Sequence, residues 1–362
     1  MAIAIPKFNM DTAFVREVKA AKDNYFQLIK KKQTGDWRLF SKTIALFSLF
    51  VLTYYLLVFQ TPDWYWAVPL CIVLAFVKAG IGFCVMHDAI HQSYSQSKKL
   101  NYIMGLSLNF LGANNTTWFV KHNVIHHTNV NISGYDEDIE AKPLLRMHDD
   151  QGWLSIHQFQ HLWIYWMIVY SLLLFQWILF NDYKKYFTRK ILYKEGIKFS
   201  TRDHFVFWFG KAFNAFVFIV FPILKVGFTK WVIGYVIVVG VTSLLIATVF
   251  QLAHVVSGLK HPTIETKEED YFMHQISTTA DFAVNNNLIT WFLGGLNFQR
   301  EHHLFPGVSH VHYPELRKTL MPVYKKWRVP IVEYDTYYMA VKAHVMELKR
   351  LSKKPKEIVV QL

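Results

Sequence analysis

Cysteine is nearly missing from this 362-residue chain: only Cys71 and Cys84 occur, both inside one apolar run. Two thiols make neither a disulfide framework nor a cysteine-rich zinc site, so both are read as buried free thiols. No internal repeat and no low-complexity segment is visible, which argues against a transporter built from duplicated halves. The opening residues, Met1 to Pro6, lead into a charged, helix-like stretch through Lys42 that lacks the basic-then-apolar pattern of a cleaved signal. The first membrane span is therefore expected to target the chain. Nor does the sequence offer an obvious nucleophile with an oxyanion site, which weighs against hydrolytic chemistry.

What is present is apolar and basic. The chain is 52% hydrophobic and 17% aromatic, with a mean hydropathy of +0.16, unusual for a soluble domain. The net charge of +13 is concentrated in Lys/Arg runs beside apolar segments, at Lys30-Lys31-Lys32 and between Lys184 and Arg202. That placement points to anionic lipid headgroups at an inner membrane face and sets nucleic acid aside as a partner.

Five apolar stretches, about 43–60, 64–86, 161–180, 205–224 and 231–256, each approach the ~20 residues that cross a bilayer core. A sixth, 100–113, is too short. Basic residues are abundant before the first stretch and absent from the turn Thr61-Pro62-Asp63, so the N-terminus is expected in the cytoplasm, with the chain returning there at His87.

The chemistry sits in three clusters: His87-Asp88-Ala89-Ile90-His91, His122-Asn123-Val124-Ile125-His126-His127 and Gln299-Arg300-Glu301-His302-His303. Residues four apart on a helix share a face, so each cluster aims two or three imidazoles at one spot. Seven box histidines exceed the places around one ion, and two metals sharing the set is the economical solution. His254, which ends the last apolar stretch, is an eighth candidate, because an imidazole in an apolar helix needs a partner to offset desolvation. A satisfied core histidine is the bland alternative there. Imidazole suits several metals; the lack of cysteine ligands and of a hydrolytic device favours iron.

A shared site requires an even number of crossings between His127 and His302, yet three apolar stretches lie between them. The basic loop 181–204 reads as inner-face, so 161–180 is assigned as an in-plane or embedded helix, with 100–113 as a similar partial one. The expected fold is an all-α integral membrane protein. It has four transmembrane helices, in-plane or re-entrant helices and a cytosolic histidine-rich helical cap.

At these boxes the chain resembles the membrane fatty acid desaturases, in particular their front-end, delta-6-like group. The matching pattern is HxxxH at His87/His91, HxxxHH at His122/His126/His127 and QxxHH at Gln299/His302/His303, and the run from Trp291 to Pro306 is especially similar. The resemblance covers about 35–335. The expected division of the chain is a cytosolic N-terminal helical segment (1–42), a membrane desaturase domain (43–335) and a cytosolic C-terminal tail (336–362). The resemblance implies a four-span fold with a cytosolic cap. It also implies two irons and O2-dependent insertion of a double bond into a long-chain acyl-CoA or acyl-lipid, with His254 matching an additional family ligand.

Two departures qualify the transfer. Gln299 stands where stearoyl-type relatives carry histidine, and an amide oxygen is a weaker, neutral donor; direct ligation, ligation through water and no ligation all stay open. A fused cytochrome b5 module is not seen, since the His261-Pro262 pair lacks a following Gly-Gly. Electrons are expected from a separate cytochrome b5 or a ferredoxin, with its reductase. The physical need is plain: unactivated methylene hydrogens do not yield to a general base, so the reaction requires a metal-generated oxidant and a dry slot that aligns one carbon pair. That slot is expected between the second and fourth spans and the cap. A di-iron hydroxylase or ketolase and, from another class, a metal-ion transporter are the rival readings.

Asp88, Asp136 and Asp138, with Glu137, are candidates to orient ligand imidazoles through the far nitrogen, against the alternative of solvated acids. Asn129 and Asn131 either do the same or cap a turn. Lys98, Lys99, Lys121 and Arg146 could meet a phosphate-bearing headgroup or simply face lipid. His157 and His161 are read as part of an interfacial aromatic stretch, and His310 and His312 as surface or loop histidines.

Overall fold

The structure, a computed structural model, describes residues 5–355. The opening Met1–Ala4 and the last seven residues of the expected tail lie outside the described residues.

Local chemistry sets the helix limits. α1 (Ala13–Ile29) begins where the Thr12 hydroxyl accepts from Val15 N and stops at Lys30, whose backbone turns left-handed. α2 (Trp37–Phe59) starts six residues before the expected apolar stretch because Asp36 caps it by accepting from Arg38 N. α3 (Trp64–Ile90) carries a wide, π-type segment at Ile81–Met86, immediately ahead of the first box. The 100–113 segment is a pair of short helices, α4 (Lys98–Gly105) and α5 (Ser107–Leu111), ended by Gly112 at φ 111°. α6 (Asn115–Phe119) continues as a second π-type segment, Val120–His126, which holds most of the second box.

α7 (Trp163–Thr188), α8 (Thr201–Val226) and α9 (Phe228–His254) complete, with α2 and α3, a set of five helices among the described residues that are long and apolar enough to cross a membrane. α8 starts at 201 because Ser200 and Asp203 form a reciprocal capping box. α9 packs along α3 and α7, and α2 packs on α3. Their outer faces expose Ile44, Val51, Trp66, Ile164, Leu224 and Ile233, as a lipid-facing surface would.

After these helices come α10 (Tyr271–Ser277), α11 (Asn287–Phe292), α12 (Gln299–Leu304), α13 (Tyr313–Lys326) and α14 (Tyr337–Leu351). The all-α expectation needs one correction: β1 (Ala280–Phe282) pairs in parallel with β2 (Val332–Tyr334), with Asp281 opposite Glu333. Between these two strands and α12 runs a buried ionic chain. Arg300 Nε donates to Asp281 at 2.9 Å, Arg300 Nη2 donates to Glu333 at 2.7 Å, and Arg317 reaches the same Glu333. Arg300 and Asp281 are fully buried, so the third box rests on a paired, desolvated anchor. Within the expected tail, α14 buries Ala340, Leu348 and Leu351, and His344 bridges Tyr170 Oη and Val255 O.

Candidate metal centre

Four elements deliver the box residues. His87 and His91 end α3, His122 and His126 lie on the wide turns after α6, His254 is the last residue of α9, and His302 and His303 sit on α12. Gly294 and Gly295 let α12 approach: both have positive φ, and a Cβ on Gly294 would stand 2.5 Å from Phe83 O in the wide turn of α3. A Cβ on Gly295 would meet His310 and Tyr313. Only glycine fits this contact between the third box and the element that carries the first.

All eight histidines are buried and converge as two adjacent groups. Ring nitrogens of His87, His91, His122 and His302 lie within 4.8 Å of one another, as do those of His126, His254 and His303. His127 borders both, grouping with His302 and His303 while its Nε2 lies 3.3 Å from His122 Nε2. The division corrects simple α-helical logic. In the wide turn His127 N donates to His122 O, five residues back, so His122 and His127 face one point and His126 is turned to the other group.

The donor set fits first-row metal ions. Two nitrogens bound to one ion at roughly 2.1 Å stand roughly 3.0–3.4 Å apart, and His87 Nε2 lies 3.2 Å from His122 Nε2. Nε2 of His91, His126, His302 and His303 is buried with no hydrogen-bond partner among the described residues. Meanwhile the far nitrogens are held. His126 Nδ1 lies 3.0 Å from both Asp136 oxygens, His303 Nδ1 3.0 Å from Gln275 Oε1, and His254 Nδ1 3.4 Å from Thr278 O. Those acceptors have no proton to give, so each Nδ1 carries the hydrogen and each Nε2 lone pair faces inward. Tyr313 Oη stands 3.2 Å from His302 Nδ1.

Electrostatics agree. Burial first, and then neighbouring imidazoles, hold His122, His127, His302 and His303 well below the ordinary histidine range, which keeps them neutral and able to ligate. Burial would also lower His126, but Asp136 and Asp138 overcome it and raise that residue.

Of the candidate orienting carboxylates, Asp136 lies against His126 Nδ1, and Asp138 Oδ2 lies 3.3 Å from the same nitrogen while its other oxygen pairs with Lys121 at 2.6 Å. Asp88 binds elsewhere: it accepts from Ser309 Oγ at 2.6 Å and faces His310 Nδ1 at 3.0 Å, tying α3 to the loop before α13. Glu137 pairs with Lys185. Asn129 donates to Ile125 O and Tyr193, whereas Asn131 donates to His254 O and Thr278 O, bracing the end of α9. Gln299 is buried one turn before His302 and its amide nitrogen donates to Leu296 O at 2.7 Å.

His310 and His312 are not surface histidines. Both are buried, His310 between Asp88 and Lys42 and His312 against Thr34 O, because α13 folds their turn under α2. His157 is a structural histidine bound to Leu154 N and Pro143 O. Arg146 is buried and donates to the carbonyls of Gln151, Asp149 and Leu351, Lys121 is spent on Asp138, and Lys98 and Lys99 are exposed. Sequence reasoning also missed Gln275, Thr278 and Tyr313, which lie outside any box, and Glu301, whose fully buried carboxyl has no hydrogen-bond partner among the described residues and is pushed by burial up to about 8.

Beside the cluster lies apolar space. A small cavity of about 30 Å³ is lined by His87, Phe83, Trp118, Leu108 and Phe250, and a larger one of about 360 Å³ lies between α2, α3, α8 and α9. Buried polyhistidine groups at the ends of apolar helices, next to an apolar chamber, define a membrane-type protein whose cluster can bind metal. The particular family is then plain: residues 63–335 match the fatty acid desaturase model, and the chain belongs to that family. It is an oxidoreductase, and the family is generally di-iron dependent. The chain is 32% identical to the sn-1 linoleoyl-lipid 6-desaturase of Arthrospira platensis over 98% of its own length and 96% of that protein. Against the enzyme of the same name from Synechocystis it is 29% identical over 96% and 98%. Against the acyl-lipid (8-3)-desaturase of Physcomitrium patens it is 32% identical over 93% of this chain and 71% of the relative.

Proposed function

We propose that this desaturase introduces a cis double bond near the carboxyl end of a long-chain acyl group carried on a membrane lipid, with front-end regiochemistry. The observation that carries the reading is the convergence of three boxes and α9 on two imidazole groups whose member His87 also lines an apolar cavity. The lipid form of the substrate and the delta-6 position are taken from the relatives, two of which are named linoleoyl-lipid 6-desaturases; acyl-CoA is the alternative carrier.

His87, His91, His122 and His302 would hold one iron and His126, His254 and His303 the other, with His127 at their boundary; the Gln299→His substitution tests whether Gln299 joins them. Bound iron supplies the oxidising power, drawn from O2 and from electrons of a separate cytochrome b5 or ferredoxin and its reductase. The chain's own part is positional. Asp136, Gln275 and Thr278 orient imidazoles and keep their protons on Nδ1, Phe83, Trp118 and Phe250 exclude water beside His87, and the slot between α3 and α9 fixes which carbons stop there.

The same reading makes α2, α3, α8 and α9 the four crossings and α7 an in-plane helix, with the boxes in a cytoplasmic cap over domain 43–335. Two contacts support it. Tyr165 Oη donates to Leu144 O at 2.8 Å and Lys185 Nζ to Glu137 at 2.6 Å, so both ends of α7 touch one short stretch. That stretch carries Glu137, Asp138, Glu140 and Lys142, charges that do not traverse a bilayer.

The test is expression in a host without polyunsaturated acids, feeding of several acids and gas chromatography of the lipids. A new front-end double bond is expected. A hydroxylated product, or no product from iron-loaded protein with a competent donor, would overturn the reading.

A further inference from the structure

Lys78 is the odd lysine of the apolar helices. Four lysines are buried among the described residues, and three have polar partners: Lys42 meets Trp291 O and His310, Lys185 meets Glu137, and Lys211 meets Asp182 and two carbonyls. The Lys78 side chain is 3% exposed and makes no hydrogen bond or ion pair among the described residues. Its ammonium instead stands 4.5 Å from the centroid of the Phe218 ring.

Its location is as telling. Lys78 lines both the small cavity beside His87 and the 360 Å³ cavity beyond, and it is the one residue common to the two linings. It lies nine residues before His87 on α3, about 14 Å along the helix axis. An acyl chain whose reacting carbons rest at His87 must pass this ammonium to lodge its methyl end in the larger cavity. An intramembrane cation without an acid partner is expensive and marks a functional position.

We infer that Lys78 is a specificity-determining residue at the neck of the acyl slot, favouring chains that carry cis double bonds on the methyl side of the reacting carbons. The inference rests on the slot reading above. A saturated segment gives the ammonium only dispersion contact and displaces what water reaches it. An alkene presents a negative π face, as the Phe218 ring already does, and so adds a second electrostatic partner in a dry site. The charge therefore lowers the affinity of saturated segments more than that of unsaturated ones.

The test uses the purified full chain. Stearic, oleic and linoleic acids, equal in length, compete against a fluorescent saturated fatty-acid probe for the wild type, Lys78→Met, Lys78→Gln and Lys78→Arg. Removing the charge is expected to shrink the preference for linoleic over stearic acid by roughly two- to fivefold in both neutral variants, while Arg retains it. In turnover the preference for linoleoyl over oleoyl lipid should shrink by a smaller factor, since the two differ by one double bond, and the change should appear in KM rather than kcat. Melting temperature checks that each variant is folded, and Gln serves if Met is not. An unchanged preference in a folded neutral variant overturns the inference, and so does a change in chain-length preference alone, which would make Lys78 a steric stop. A wild type that forms no double bond yet shows the charge-dependent preference would sink the desaturase reading and leave this one standing.

Discussion

The two histidine groups are built differently. Around His126, His254 and His303 every far nitrogen meets an acceptor, from a carboxylate, a backbone carbonyl and a side-chain amide in turn. Around His87, His91, His122 and His302 only His302 has such a partner among the described residues, the phenol of Tyr313, and His122 Nδ1 is buried without one. The first group is steadied instead by packing: Trp118 stacks on His122 at 4.1 Å between centroids, and Gly294 seats α12 on α3. The difference teaches a division of labour. One group is locked and made electron-rich by polar supports, while the other borders the apolar cavity, where few polar neighbours can be tolerated.

That contrast can be broken in several places. The largest effect is expected from His126→Ala, which removes a proposed ligand from the supported group: no detectable desaturated product and a clear fall in iron per protein, read by elemental analysis. Retained activity would remove that group from the mechanism. Next is Asp136→Asn, expected to weaken metal retention about 10–100-fold against a graded chelator series. Tyr313→Phe, on the other group, should cost less than that, because a phenol is a weaker partner than a carboxylate. A larger loss for Tyr313→Phe would reverse the proposed contrast.

Gly294→Ala tests the packing side. With φ at 58° and a backbone oxygen in the way, it should destabilise by about 1–3 kcal/mol in thermal unfolding and lower activity through His302, leaving the His126 group loaded. The smallest effect is expected for Gln299→His, which should alter metal occupancy or rate without a change in melting temperature. A silent substitution would put this position outside the coordination sphere.

Much of the site was legible because box spacing is a local property. Each HxxxH or HxxxHH run lies on one short helical piece, so its side chains share a neighbourhood whatever the fold does. Which imidazole joins which group was not legible. That depends on the π-type turns at 81–86 and 120–126, which no residue type announces and which shift alignment from four residues to five. Asp88 looked equivalent to Asp136 by proximity to a box, yet it faces the Ser309–His310 loop because it lies on another side of α3. His310 and His312 were misread for the opposite reason: alternation within a polar turn suggests solvent, whereas α13 carries that turn into the interior.

Apolar runs of nearly bilayer length, and histidines at helical spacing beside them, determined by themselves that this protein has long lipid-compatible helices ending in metal-type donors. Hydropathy and periodicity are written into neighbouring residues. The partition of eight imidazoles into two groups, the Gly294 contact, the Asp281–Arg300–Glu333 anchor under the third box and the isolation of Lys78 between two cavities were decided only by tertiary structure. Each joins residues far apart in the chain, and only packing sets which buried group finds a partner and which is left to face the slot.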